Sequence, residues 1–272
     1  MKMKIYVVKF GGNAIRGKDD MVRLSNEVAE LARNGVKIIL VHGGGPEISA
    51  EMEKRGLKPK KVAGLRVTDE STLKVAEDVL GALNKDVTDS LAGSSVTAIG
   101  MPGYLCTLCK KKEPYSAIED GKEITVDLGL VGDVVGVNSD ALMDLLNSGI
   151  TPVIYPIGKD KGGNTLNVNA DAMAAGIAAG VNCEELIMIT DVPGILLDVN
   201  NTASKADKLT LKQVDDLILN GTISGGMIPK VDACRDALKA GVRTVRMVNG
   251  KDPHSILTDL MKNVPHGTII TM

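Results

Sequence analysis

The sequence predicts an α/β protein built on a largely parallel sheet that is covered on both faces. Three observations lead there. Apolar runs of strand length alternate with segments of helical periodicity along most of the 272 residues. The clearest strand-like runs, 5–10 and 36–41, are almost continuously apolar, as strands buried on both faces are. Both end in glycine clusters, Gly11-Gly12 and Gly43-Gly44-Gly45, and ligands of such sheets sit beyond the carboxyl ends of strands.

Element by element, residues 5–10 read as a buried strand. From Met21, the apolar positions Leu24, Val28 and Leu31 follow a helical spacing that Asn34-Gly35 stops. Residues 36–41 form the second strand, and Pro46 fits the first turn of the helix after its glycines. A long helix spans 69–91, with Leu73, Ala76, Leu80, Leu83, Val87 and Leu91 on one face. Helices longer than average often serve an interface, so it is the candidate for one. Short β-like pieces at 96–99, 105–108 and 124–126, separated by Gly and Pro, read as hairpins folding over a site. A helix at 142–146 and a strand at 150–154 follow. Asn169 caps an Ala-rich helix over 171–179, and a strand at 186–190 ends at Asp191. Thr210-Leu211-Lys212-Gln213 is a capping box. A helix at 227–240 buries Val231, Cys234 and Leu238, and strands at 242–248 and 268–271 close the sheet.

Composition removes several function classes. With 32 Lys+Arg against 34 Asp+Glu the net charge is −2, which argues against a duplex-DNA binder acting by phosphate neutralisation. One Phe (Phe10), four Tyr and no Trp leave too few rings for a base-stacking platform. No apolar run reaches membrane-span length, and Met1-Lys2-Met3-Lys4 is not the start of a signal peptide; with four Cys, this points to a cytoplasmic protein. Every Gly-Lys pair, such as Gly17-Lys18-Asp19, is followed by an acid rather than Ser or Thr, so there is no P-loop. Gly43-Gly44-Gly45-Pro46-Glu47-Ile48 lacks the last glycine of a dinucleotide fingerprint. Cys106-Thr107-Leu108-Cys109 has no second ligand pair for zinc, so no metal site is expected. The three His show no ligand or triad spacing.

What remains is anion chemistry. Glycines at strand ends let the backbone approach a ligand and aim N–H groups at it, although glycines also simply make turns. Lys9 ends an apolar strand, where a charge is costly unless it meets an anion. Lys230, in Gly225-Gly226-Met227-Ile228-Pro229-Lys230, stands at a helix start, a poor place for a cation unless it faces something negative. Arg66, in Gly64-Leu65-Arg66-Val67-Thr68-Asp69, has the fork for a carboxylate. Asn167, Asn169 and Asp171 form a polar cluster that also reads as a plain helix cap. Asp191 before Pro193-Gly194 also reads as a turn residue.

Taken in order, Lys9-Phe10-Gly11-Gly12, His42-Gly43-Gly44-Gly45-Pro46, Gly64 to Asp69, Asn84-Lys85, Val131-Gly132-Asp133-Val134, Asn167 to Asp171, Asp191-Val192-Pro193-Gly194-Ile195-Leu196 and Gly225 to Lys230 resemble the amino acid kinase family over nearly the whole chain. The resemblance implies a three-layer αβα sandwich forming one domain over 1–272. Lobe 1–180 would bind an acyl amino acid and lobe 181–272 ATP. The implied reaction moves the γ-phosphoryl of ATP, carried with Mg²⁺, to the side-chain carboxylate of N-acetyl-L-glutamate, a step of arginine biosynthesis. Lys9 and Lys230 would flank the phosphoryl and Asp171 would orient both. Gly44, Gly45, Arg66, Asn167 and Asn169 would hold the substrate. Gly11, Gly12, the strip Asp191, Val192, Pro193, Gly194, Ile195 and Leu196, and Thr222, Ile223 and Ser224 would hold the nucleotide. The run Gly100-Met101-Pro102-Gly103-Tyr104-Leu105-Cys106 departs from the family pattern in a loop that lies near the substrate in relatives. A sibling kinase of a related acyl amino acid, such as carrier-bound aminoadipate, and a catalytically silent ligand-sensing subunit are the alternatives. Because the sequence starts at its first strand, without the extra N-terminal helix of arginine-inhibited relatives, the resemblance implies a homodimer without strong arginine feedback.

Overall fold

The computed structural model describes residues 4–11, 17–62, 64–119, 122–251, 257 and 266–272. Its centre is an eight-stranded sheet. The strands, from one edge to the other, are β14 (Lys208–Thr210), β16 (Thr268–Thr271), β15 (Val245–Asn249), β13 (Glu185–Thr190), β1 (Ile5–Phe10), β2 (Lys37–His42), β10 (Thr151–Tyr155) and β5 (Ala98–Pro102). Every pair is parallel except β15 with β16.

Strand alternation sorts the side chains into two layers. Ile5 and Val7 of β1 and Ile39 and Val41 of β2 join the apolar cluster under helices α4 (Ser139–Asn147), α5 (Ala170–Gly180), α6 (Leu211–Leu219) and α7 (Ile228–Lys239). Val8, Phe10, Ile38 and Leu40 join the opposite cluster, under α1 (Gly17–Arg33) and α3 (Glu70–Gly93). This is the three-layer αβα arrangement. Helix α2 (Gly45–Lys54) packs on α3 through Ile48, Met52, Leu73 and Leu80.

A second sheet holds β11 (Ile157–Lys159), β12 (Thr165–Val168), β9 (Val131–Val137) and β6 (Thr107–Lys111). It packs on α5 where Gly176 and Gly180 make room for Val134 and Val137. Two hairpins complete the fold, β3 (Lys61–Val62) with β4 (Leu65–Arg66), and β7 (Tyr115–Glu119) with β8 (Lys122–Val126). The hairpins expected between 96 and 137 are therefore present in part: β9 crosses to pair in parallel with β12.

Local signals act as read. Thr210 and Gln213 form the capping box, Asn169 caps α5, and Asp69 caps α3 by accepting from the Thr72 N–H at 2.7 Å. The apolar stripe of α3 turns inward: Leu73, Ala76, Leu80, Val87 and Leu91 are buried in the chain's own fold. That stripe is therefore core, not a free interface. Among the described residues no helix is long and apolar enough to cross a membrane.

Candidate active site

Two cavities open at the carboxyl edge of the central sheet. The larger, of about 330 Å³, is lined by Lys9, Gly11, Gly43, Gly44, Gly45, Arg66, Asn167, Asn169 and Asp171 among others. The smaller, of about 130 Å³, is lined by the strip Val192, Pro193, Gly194, Ile195 and Leu196, by Thr222, Ile223 and Ser224, and by Val199 and Met227. Thr268 anchors that strip, accepting from the Ile195 N–H at 2.8 Å and donating to Ala206 O at 2.6 Å.

Lys9 falls on the helix α5 face because it continues the alternation Ile5, Val7, Lys9. There its Nζ meets Asp171 Oδ1 at 2.8 Å. The contact is an ion pair off the alignment of a hydrogen bond, so that buried oxygen has no aligned donor. β1 pairs with β13 in the register Lys9 to Met188, which brings Asp191, just past β13, to the neighbouring strand end. Asp191 accepts from Lys230 Nζ at 2.6 Å, and the lysine holds its carboxyl below the usual carboxylate range.

Lys9 is thus paired with Asp171 and Lys230 with Asp191, two separate ion pairs rather than one acid between both lysines. The reason lies in where the charges fall. Asp191 follows β13 directly, so the α7 N-terminus finds an acid there first. Lys230 lines neither cavity, and it is the following turn of α7 that lies near Asp171. One turn on, Cys234 is pushed up first by burial and then by the Asp171 carboxylate.

Arg66 ends hairpin β3–β4 and is 8% exposed. Its Nη2 donates to Gly45 O at 2.9 Å and Ser49 Oγ at 2.8 Å, and Nη1 to Met52 Sδ at 3.1 Å. None of these partners is a carboxylate. Burial lowers its basicity, and N–H groups remain for an anion in the cavity. The same first turn of α2 has no side-chain cap at Gly44, and the Gly44 and Gly45 N–H groups have no partner among the described residues. Asn167 Nδ2 donates to Thr68 Oγ1 at 3.1 Å, leaving its oxygen free to accept. Asn169 spends its oxygen on the N–H groups of Asp171 and Ala172, so only its amide NH₂ is left for a ligand.

Gly11 lines the larger cavity rather than the groove of the strip, and Gly12 lies outside the described residues. A Cβ on Gly11, at φ +146°, would stand 2.9 Å from Gly43 N, so the two glycine clusters touch through backbone. None of residues 100–109 lines the larger cavity; Gly103 instead packs against Met173, and Cys106 and Cys109 are buried.

Sequence reasoning passed over His42. Its ring is buried, with Nδ1 2.9 Å from Gly43 O and Nε2 3.1 Å from Asn84 Nδ2. Desolvation lowers it to about 4, so it is neutral at pH 7. The available signal was a polar ring closing an apolar strand immediately before the glycines.

A sequence profile described as the amino acid kinase family matches residues 4–249. The chain is 44% identical to the acetylglutamate kinase of Methanocaldococcus jannaschii, over 98% of this chain and 90% of that protein. In fold it resembles the N-acetylglutamate synthase of Neisseria gonorrhoeae, with TM-score 0.82 and 24% identity. That match covers 99% of this chain, which spans about three fifths (59%) of that one. It also resembles the carbamate kinase of Giardia, with TM-score 0.68 and 17% identity over 100% of this chain and 99% of that one. With its glycine-ended strands, its paired lysines and a profile match over most of its length, the chain belongs to the amino acid kinase family.

Proposed function

We propose that this chain transfers the γ-phosphoryl group of ATP to the side-chain carboxylate of N-acetyl-L-glutamate, forming an acyl phosphate in arginine biosynthesis. The observation that carries this is a single cavity with a cation at each end of its task. Arg66 is buried with no carboxylate partner among the described residues and suits the α-carboxylate of a small acidic substrate. Lys9 and the open N–H groups around Gly44 suit the second carboxylate and the incoming phosphoryl.

A side-chain carboxylate oxygen attacks the γ-phosphorus, the bond to the β,γ-bridging oxygen breaks, and ADP leaves with that electron pair. No general base is required, because the nucleophile is already ionised at pH 7. The protein's task is positioning and charge neutralisation. Lys9, held by Asp171, meets the phosphoryl from the substrate side. Lys230 exchanges Asp191 for the phosphoryl from the nucleotide side. The strip 192–196 with Thr222, Ile223 and Ser224 cradles the nucleotide. Asp171 and Asp191 are each engaged by a lysine, and among the described residues no three His, Cys, Asp or Glu side chains gather for a metal. We assign Mg²⁺ to the nucleotide phosphates, whose charge it would neutralise.

We further propose a cytoplasmic homodimer. With the α3 stripe buried, its interface uses the outer face of α3 and the edge strand β5, where Ile99 is exposed. The test of function is hydroxamate trapping of the acyl phosphate, with ATP and a panel of acyl amino acids. N-acetyl-L-glutamate should give the highest kcat/KM. Preference for N-acetyl-aminoadipate would reassign the substrate, and no hydroxamate with any member would reject the reaction.

A further inference from the structure

We propose that His42 is a positioning residue: its Nδ1–H clamps the Gly43 carbonyl, and this aims the Gly44 N–H into the cavity at the oxygens of the transferring group. The role rests on the phosphoryl-transfer reading above.

The clamp is built in steps from the sequence. Alternation along β2 sends Ile38, Leu40 and His42 to the α1–α3 face. There the ring lies between Phe10 and Tyr155, at centroid distances of 6.1 and 6.3 Å. Asn84 reaches it from the inner face of α3, 42 residues away. One amide N–H of Asn84 goes to His42 Nε2 and the other to Val153 O, at 3.1 and 2.9 Å. Asn84 has room because position 100 is glycine, where a Cβ would lie 1.9 Å from its Oδ1.

Since Nε2 accepts from Asn84, the network assigns the ring proton to Nδ1, which donates to Gly43 O at 2.9 Å. The preceding peptide is pinned as well, because Gly43 N donates to Phe10 O at 2.9 Å. A trans peptide points its C=O and N–H in opposite directions. Fixing the Gly43 carbonyl on the ring side therefore turns the Gly44 N–H away from the ring. Gly44 lines the cavity, and its N–H has no partner among the described residues. A leucine would fill the ring's volume without burying two nitrogens. What the imidazole adds is the oriented peptide.

The test compares wild type, His42→Asn and His42→Gln in the hydroxamate assay, with melting temperatures measured alongside. The asparagine amide nitrogen falls near the Nδ1 position and keeps the clamp; the glutamine amide mimics Nε2 and loses it. His42→Gln should lower kcat by about 10- to 100-fold, less than the loss of an oxyanion donor outright, with the KM for ATP little changed. His42→Asn should recover most of kcat. Equal loss in both variants, or an effect confined to KM or to melting, overturns the proposal. The ring ¹⁵N shifts of wild type give a readout independent of turnover and of whether a variant folds. A neutral Nδ1–H tautomer at pH 7 supports the clamp, and an Nε2–H tautomer overturns it. A wild-type protein that makes no acyl phosphate, yet carries the proton on Nδ1, would refute the reaction while leaving the clamp standing.

Discussion

Lowering the pH from 7 to 4.5 should destabilise the wild type by about 2–3 kcal/mol more than it destabilises His42→Asn. In the fold, burial lowers His42 from 6.5 to about 4. The unfolded chain binds a proton at this ring below pH 6.5, whereas the folded chain does not until about pH 4. Stability from the neutral ring is therefore fully present above pH 6.5 and is lost as pH falls toward 4. Converted at a factor of ten per pH unit, that gap sets a ceiling of about 3 kcal/mol, most of which is lost by pH 4.5. Asparagine does not titrate. Carboxyls held low in the fold, Asp69 by the Thr72 N–H and Asp191 by Lys230, also lose stability on acidification. They do so in both proteins and cancel in the difference. Urea unfolding followed by circular dichroism suits a chain without Trp. Parallel stability curves from pH 7 to 4.5 would show that the ring is not held neutral, and the derivation would fail.

Three further outcomes follow from the site. Lys9→Ala and Lys230→Ala should each lower kcat by roughly 10²- to 10³-fold, the scale of one lost transition-state donor, and near-wild-type turnover in either rejects its role. Arg66→Ala should raise the KM for the acyl amino acid by about 10-fold or more, as expected for a lost charge-assisted pair, while the KM for ATP stays put; a rise confined to ATP would exchange the two cavities. Gly100→Ala should displace Asn84, cost roughly 1–3 kcal/mol in urea unfolding and lower kcat as His42→Gln does; unchanged stability would mean that Asn84 is not seated by that glycine.

Much of the fold was legible because its signals are local. The caps at Asn169 and Thr210, the glycines ending β1 and β2, and the apolar runs of β1, β2 and β13 each state their element within a few residues. The charged and polar residues singled out in the sequence were partly legible as a group, since Lys9, Arg66, Asn167 and Asp171 line one cavity. Less legible was whatever depends on distant partners. Nothing near Lys230 announces that Asp191, 39 residues away, will hold it in place of Asp171. The inward turn of α3 depends on the core clusters it meets, not on its own periodicity. His42 gave no signal as a ligand because its role runs through backbone and through Asn84. The antiparallel pairing of β15 with β16 is a long-range register that no local residue encodes.

The central claim is that Lys9 and Lys230 act on one phosphoryl group although they rest on different acids. A crystal structure with ADP, aluminium fluoride and N-acetyl-L-glutamate tests it most directly. Both lysine Nζ atoms and the Gly44 N–H should lie about 3 Å from the fluorides, with Lys230 gone from Asp191 and the side-chain carboxylate in line opposite ADP. Lys230 still bound to Asp191, with the aluminium fluoride touched by Lys9 alone, would contradict it.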